Sequence, residues 1–333
     1  MKFLPKEWNT KSEKLTWNER KLSMIFIDEF QIAITASYDK WIDVMQQASM
    51  AIADGSVIVP KRTHIDFGKD ALLLMPSIGK DYFATKLVTI FPLNRYINKP
   101  SIYGTVILND RKSGEPLAVI DGSKLTAMRA AAVASMGMRF LSPENASCLG
   151  IIGAGVQGFH QALFACSHRN ITRVLVFDNR KEIVQNFCSE LGKVFPRIKI
   201  IPASDVRELC SRSEIIITAT NSSIPVLPSD VSLLEGKTII AIGSHKHEMR
   251  ELPDVFFSLL DYVFIDTEHG MTESGDLIDP LRDNLVPSDR FCPIQDLISG
   301  KVKPEKPTRL FKTVGLAAFD LYAAILVYEN RNK

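Results

Sequence analysis

The polarity pattern changes character three times along the chain. The first 23 residues are polar, with Trp8 and Trp17 scattered among charges, and set up no apolar period; residues 1–23 are expected to form an N-terminal extension, an arm or lightly packed segment. Tyr38, Trp41, Met45, Ala48 and Ile52 then recur at alternating spacings of three and four. That spacing puts them on one face of an amphipathic helix, and Gly55 is placed to end it. Between residues 57 and 121 the period shortens to that of strands. The runs VIVPKRTHI, ALLLMPS, FATKLVTIF, YGTVIL and PLAVI are separated by turn-formers at Gly68-Lys69-Asp70, at Gly79-Lys80-Asp81, and from Asn109 to Gly114. Successive strands joined by such short turns pair antiparallel, so a helix packed on an antiparallel or mixed sheet is predicted here.

After Gly122 comes an Ala- and Met-rich helix over residues 123–141, and then strict alternation. Strands CLGIIG, RVLVFD, IKII, EIIITAT, KTIIAIG and YVFID are interleaved with helical stretches at 156–168, 180–193, 203–210 and 253–260. Alternation of this kind predicts an α/β fold with a Rossmann-type doubly wound parallel sheet. A short strand over 310–312 and a helix over 314–329 close the chain, and no internal repeat is visible. The expected organisation is a second α/β domain from residues 24–125 plus 314–333, and a dinucleotide-binding domain from 126–313.

Composition narrows the class. The chain of 333 residues is 46% hydrophobic and 23% charged, values that exclude wholesale disorder. Forty basic and 38 acidic side chains leave a formal charge of +2, too small an excess for a nucleic-acid-coating protein. Apolar runs such as 215–217 and 238–242 are strand-sized, far short of a membrane span. The opening residues lack the apolar core of a signal peptide. Five cysteines, at 148, 166, 188, 210 and 292, are odd in number and without metal-type spacing. They read as reduced thiols in a cytoplasmic protein.

The sharpest local motif is Gly153-Ala154-Gly155-Val156-Gln157-Gly158, which follows an apolar strand and opens a helix. In that setting the first glycine allows the tight turn, the second lets a pyrophosphate approach the backbone, and the third permits close helix–strand packing. The next strand ends in Asp178, 20 residues beyond Gly158. A carboxylate there suits the ribose hydroxyls of NAD(H) and repels a 2′-phosphate. Arg180, with Asn179 between, keeps NADP(H) open. Thr220 and Asn221, at the end of a later strand, are placed to line the same crevice.

Together with Pro60-Lys61-Arg62, Leu74-Met75-Pro76, Thr85-Lys86-Leu87-Val88-Thr89, GEPLAVIDG over 114–122, Leu125-Thr126-Ala127-Met128-Arg129, and Phe311-Lys312-Thr313-Val314-Gly315 with Asp320, these motifs resemble the ornithine cyclodeaminase/mu-crystallin family. The resemblance runs from about Met24 to Tyr328. It implies a Rossmann domain plus a second α/β domain, a homodimer paired through the latter, and an active site between the two. It further implies that Arg62 and Arg129 clamp a substrate carboxylate, that Lys86 is catalytic beside the reacting carbon, and that Asp320 is the family's acidic position on the last helix. Three cations in otherwise apolar surroundings suit a small carboxylate next to an imine or carbonyl.

Three positions depart from the family pattern. Ala130 stands where a threonine is usual. Leu73 stands where proline-forming cyclodeaminases hold the distal ammonium of ornithine with an acid, and His245 stands where they carry a catalytic aspartate. Ornithine is therefore expected to fit poorly, because its buried ammonium would be unpaired. His245 suits proton donation; its neighbour His247 competes for the role, and the His-x-His pair lacks a third ligand, so no metal is expected. Three functions stay open. One is an NAD(P)H-dependent reductase of a 2-imino or cyclic ketimine acid, or the reverse amino acid dehydrogenase. The others are a cyclodeaminase-type ammonia lyase that recycles NAD, and a non-catalytic nucleotide or small-ligand binder. The partners expected are a small amino, imino or oxo acid and a second copy of the chain, with neither nucleic acid nor membrane.

Overall fold

A computed structural model describes residues 24–331, so the extension expected over residues 1–23 lies outside the described residues. Strand β1 (Ile25–Ile27) leads into α1 (Glu29–Ile34) through a reciprocal cap. The Asp28 carboxylate accepts from Gln31 N at 2.8 Å, and Gln31 Oε1 accepts from Asp28 N at 3.0 Å. Helix α2 (Tyr38–Ala53) buries Trp41, Met45 and Ala48, the face set by the three–four spacing. Gly55, at φ +73°, takes the left-handed turn that ends it.

Strands β2 (Thr63–Phe67), β3 (Asp70–Ile78), β4 (Tyr82–Ile90), β5 (Ile102–Asp110) and β6 (Pro116–Asp121) form an antiparallel meander. β1 joins β6 in parallel, giving a mixed sheet of order β1-β6-β5-β4-β3-β2. The run that begins at Val57 pairs later than its apolar pattern suggests. Only Ile58 bridges, to Ile78, before β2 starts at Thr63, and Pro60 between them has no amide hydrogen to offer a ladder.

Helix α3 (Gly122–Leu141) starts at the end of β6, with Asp121 accepting from Lys124 N at 2.7 Å. Its first residue presses directly on β5. A Cβ on Gly122 would lie 2.5 Å from the carbonyl carbon of Gly104, and a Cβ on Gly104 would lie 2.9 Å from that of Gly122. Only a pair of glycines allows backbone to approach backbone this closely. α3 then runs on as one continuous helix, packing on α2 and β5 and also on elements of the second sheet. The expected domain boundary at 125/126 thus falls inside α3.

The second half builds β7 (Cys148–Ile152), α4 (Val156–His168), β8 (Arg173–Phe177), α5 (Lys181–Val194), β9 (Lys199–Pro202), α6 (Val206–Arg212), β10 (Ile215–Thr218), α7 (Val231–Leu234), β11 (Thr238–Ala241) and α8 (Asp254–Phe257). β12 (Val263–Ile265), α9 (Gly275–Arg282), β13 (Phe291–Pro293), α10 (Ile294–Ile298) and β14 (Arg309–Lys312) follow. All eight strands are parallel, in the order β13-β12-β14-β11-β10-β7-β8-β9. Every residue of β7, β10, β11 and β12 is buried, as expected for strands covered on both faces. The chain moves outward from β7 to β9 and returns on the other side at β10, which makes the β7/β10 boundary the switch point where ligands bind.

α11 (Ala317–Asn330) leaves the second sheet and packs across β3, β4 and β5 of the first. It begins three residues later than its apolar pattern suggests. Gly315 adopts φ +81° and Leu316 is extended, and the amides of Val314 and Gly315 are spent on Asp266 instead of a helix turn. Gly122→Ala is expected to lower stability by about 1–3 kcal/mol through this overpacking, read as a lower midpoint in denaturant unfolding.

Candidate active site

The β7/β10 switch point opens into a cleft of about 950 Å³. Gly153 turns at φ +100°, where a Cβ would lie 2.6 Å from Ala219 O. A Cβ on Gly158 would lie 1.9 Å from Gly153 O, so this glycine sets the packing of α4 on the loop and does not reach the cleft. Gly155 faces open space at the wall of the cleft and caps α4, which has no side-chain hydrogen bond from its cap. Val156 and Gln157 line the same wall.

Asp178 Oδ2 accepts from Ala154 N at 3.0 Å, which ties the acid to the glycine loop; Oδ1 accepts from Arg180 N at 3.0 Å. Asn179, Arg180, Thr220 and Asn221 also line the cleft. Of the residues expected here, Ala154 and Gly158 alone act from behind the wall. The Arg180 side chain is 66% exposed and only 3.4 Å from Asp178, so it is able to swing toward a 2′-phosphate. The turn, the open second glycine and the acid together fit a dinucleotide.

The second constellation is built from three elements far apart in sequence. Lys86 points from β4 to the face it shares with its cross-strand neighbours Met75 and Val106. Arg129 projects from α3, two turns beyond the Gly122 contact, and Asp320 lies in the first turn of α11. Lys86 Nζ is 2.7 Å from Asp320 Oδ2, and Arg129 Nε donates to Asp320 Oδ1 at 2.9 Å. All three are buried, at 3%, 7% and 1% exposure. Burial alone would raise the pKa of Asp320, but Arg129 and Lys86 outweigh it and hold the carboxyl below the usual range. Burial pushes the Lys86 ammonium down to about 8, against the pull of Asp320 and with further help from Arg129 and Arg62. Arg129 engages Asp320 side-on through Nε, and its terminal amino groups pack where a Cβ on Gly315 would lie 2.5 Å away. Only glycine leaves them that room.

Arg62 lines an adjoining cavity of about 440 Å³ whose walls include Ile52, Val59, Met75 and Leu316. Its guanidinium donates to Glu273 Oε2 at 3.0 Å, and Glu273 Oε1 lies 3.1 Å from His269 Nε2. Arg62 is close enough to depress the pKa of both Lys86 and His245, so the three expected cations do share one neighbourhood.

His245, expected as a proton donor, lines the larger cleft and not the smaller cavity. Its residue opens onto the cleft, and Nδ1 lies 2.8 Å from Gly243 O. A carbonyl only accepts, so Nδ1 carries the hydrogen and Nε2 keeps its lone pair. The residue as a whole is exposed, and partial burial of its ring pushes its pKa down. His247 is exposed and lines neither cavity.

Sequence reasoning missed three acids. Glu273 sits in a polar loop with nothing local to mark it. Asp266 accepts from Thr313 Oγ1 at 2.6 Å and from Gly315 N at 2.8 Å, and so shapes the ground beside Arg129. Burial pushes its pKa up against those bonds. Its signal was available: like Asp178, it ends an apolar parallel strand. Glu251, fully buried behind the cleft, had no such mark.

A parallel sheet with a glycine-loop cleft, together with a buried Lys–Asp–Arg cluster that lines neither cavity, defines a Rossmann-type nucleotide-dependent enzyme. The family model for the ornithine cyclodeaminase/mu-crystallin family matches residues 24–333, and the chain belongs to that family. It is 34% identical over 301 residues to a delta(1)-pyrroline-2-carboxylate reductase of Bacillus cereus, covering 86% of this chain and 91% of that one. It is 32% identical over 284 residues to the ketimine reductase mu-crystallin of Rattus norvegicus, covering 83% and 86%. The solved structure of Thermococcus litoralis delta(1)-pyrroline-2-carboxylate reductase in complex with NADH and L-proline superposes with a TM-score of 0.85 at 31% identity, over 92% of this chain and 97% of that one.

Asp320→Asn removes the sole carboxylate between two buried cations. The expected cost is about 3–5 kcal/mol of unfolding free energy at pH 7, measured in denaturant, because both charges stay buried without a partner.

Proposed function

We propose that this protein is an NAD(P)H-dependent reductase that converts a 2-imino acid or cyclic ketimine acid to the amino acid, and runs as an amino acid dehydrogenase in reverse. The observation that carries the reading is the buried Lys86–Asp320–Arg129 cluster, with Arg62 close by, in a chain whose cleft has a glycine loop and an Asp178 that fit NAD(H). Similarity to two reductases of cyclic imino acids and ketimines supports it.

In this reading Arg62 and Arg129 take the substrate carboxylate. The apolar walls of the smaller cavity, Ile52, Val59, Met75 and Leu316, receive the ring or side chain. A reduced nicotinamide bound in the cleft supplies a hydride to C2. Lys86, an ammonium with its pKa brought close to neutrality, lends its proton to the imine nitrogen and polarises the C=N bond. Asp320 keeps the amine charged and aimed, and accepts the strain of two neighbouring cations. His245, neutral and with Nε2 open, takes a proton in the amino-acid-oxidising direction.

The lyase reading is disfavoured at two points. Leu73, which shares its strand face with Met75, brings no charge to a distal ammonium. The carboxylate present beside the cavity, Glu273, is already held by Arg62 and His269.

We further read residues 24–125 plus 314–333 as the substrate-binding and dimerisation domain and residues 126–313 as the nucleotide domain. The exposed Ile65, Phe67, Ile102 and Tyr103 of the first sheet support a homodimer. The five unpaired cysteines suit a reducing cytoplasm.

Purified protein given NADH and Δ1-pyrroline-2-carboxylate is expected to oxidise NADH stoichiometrically with proline formed. Ammonia release from ornithine without net change in NADH would sink the reductase reading, and nucleotide binding with neither outcome would favour the binder. Lys86→Ala is expected to lower kcat about 100-fold or more. Because the acid form of Lys86 is the active one, kcat for reduction should hold below the lysine's pKa and fall as pH rises through about 8; a profile flat across that range removes Lys86 as the acid.

A further inference from the structure

Three separate stretches wall the half of the cleft beyond the glycine loop: 219–222 after β10, 224–226, and 242–245 after β11. Glu251, which does not reach the cleft, is bonded to all three. Its Oε1 accepts from Thr220 N at 2.7 Å and from Thr220 Oγ1 at 2.8 Å. Its Oε2 accepts from Gly243 N and from Thr218 Oγ1, each at 2.8 Å. Its backbone carbonyl accepts from Val226 N at 2.9 Å and Leu227 N at 3.3 Å, and its own amide donates to Asp276 Oδ1 at 2.7 Å. Gly243 permits the convergence, since a Cβ there would lie 2.4 Å from Glu251 Oε1 and 2.1 Å from Thr220 O.

We propose that Glu251 is a positioning residue for the nucleotide: its carboxylate ties the wall segment after β10 to the one after β11, its backbone carbonyl holds the third, and together they set the shape the cofactor binds, with buried Lys312 as the counter-charge of the carboxylate. The proposal rests on reading the cleft as the dinucleotide site. Both carboxylate oxygens already face donors, and two of those donors are backbone amides, which cannot reverse. A protonated carboxyl would have to turn its O–H onto Thr218 Oγ1 or Thr220 Oγ1, reversing that bond and leaving the same oxygen a weaker acceptor for the amide beside it. Desolvation of this fully buried group raises its pKa, and Asp276 adds to the rise; Lys312 is the charge that opposes both. Lys312 Nζ lies 3.4 Å from Asp276 Oδ2, and both side chains are at 0% exposure. Lys312 from β14 and Asp276 from α9 are the charges that face Glu251; its remaining neighbours there are hydroxyls and amides. Lys312 is also felt by His245.

The test reads NADH affinity directly, by fluorescence titration of the full chain without substrate, alongside KM, kcat and thermal midpoint. In Glu251→Gln, whichever way the amide is turned, its NH2 meets the N–H of Thr220 or Gly243. NADH Kd is expected to rise at least about tenfold, while KM for the imino acid at saturating NADH changes less than about twofold. A second variant, Lys312→Met, keeps every hydrogen bond of Glu251 and removes the buried cation that Glu251 shares with Asp276. Its NADH affinity should be near wild type at about pH 9 and weaken as pH falls toward about 6, because the carboxylate is lost on protonation. Titration of His245 has the opposite sign, since an imidazolium strengthens phosphate binding as pH falls. Unchanged NADH Kd in Glu251→Gln, or equal losses of NADH and imino acid affinity, overturns the proposal, as does a Kd in Lys312→Met that tracks wild type across that range. Wild-type protein that binds no NADH overturns the cleft reading, and the proposal with it.

Discussion

Asp320 is the charge on which the rest of the site depends. Lys86 and Arg129 are cations held in the protein interior, and each destabilises the other: Arg129 is among the groups that lower the pKa of Lys86. Without a shared carboxylate neither would stay charged and buried at a tolerable cost. Asp320 is delivered by α11, a helix that leaves the parallel sheet and crosses back to the mixed one. The return of the C-terminus to the first sheet is therefore tied to the chemistry as well as to packing. The ion pairs are short enough to fix three elements, β4, α3 and α11, in mutual register.

A second set of buried charges, Glu251, Asp276 and Lys312, serves the other half of the molecule. Both sets join carboxylates and amines in the interior, yet their surroundings differ. In the first, Arg129 meets Asp320 through Nε, which leaves its terminal amino groups for an incoming carboxylate. In the second, both carboxylate oxygens of Glu251 are filled by backbone amides and hydroxyls, which suits a framework rather than a ligand. The distinction rests on who supplies the partners: the fold in one case, the substrate in the other.

Much of this was legible in the sequence. The glycine loop and Asp178 act through local geometry, because a tight turn between a strand and a helix needs glycine wherever the chain goes next. The strand and helix periods, the mixed first sheet and the parallel second one followed from spacing alone. Leu73 and Ala130 were readable as departures because the motifs around them were intact. The positions of Arg62, Lys86, Arg129 and Asp320 were legible through resemblance to the family; the structure brings Lys86 and Arg129 onto Asp320, while Arg62 pairs with Glu273. Strands β1 and β13, three residues each, were not legible, since so short a run carries no period. The late start of α11 was hidden because Gly315 and Asp266, which impose it, are 49 residues apart.

What the sequence determined by itself were features set within a few residues: turns, caps, periods and the identity of chemically able side chains. What only the tertiary structure decided was who partners whom. The pairing of Lys86 with Asp320 spans most of the chain, and Glu273 reaches Arg62 across 211 residues. The tautomer of His245 is set by the Gly243 carbonyl, two residues back in a loop whose fold the sequence does not give. Charge, reach and hydrogen-bonding capacity belong to the residue. Burial, which turns Lys86 from an ordinary ammonium into one with a pKa of about 8, belongs to the fold, because desolvation is the work of neighbours that one-dimensional order does not name.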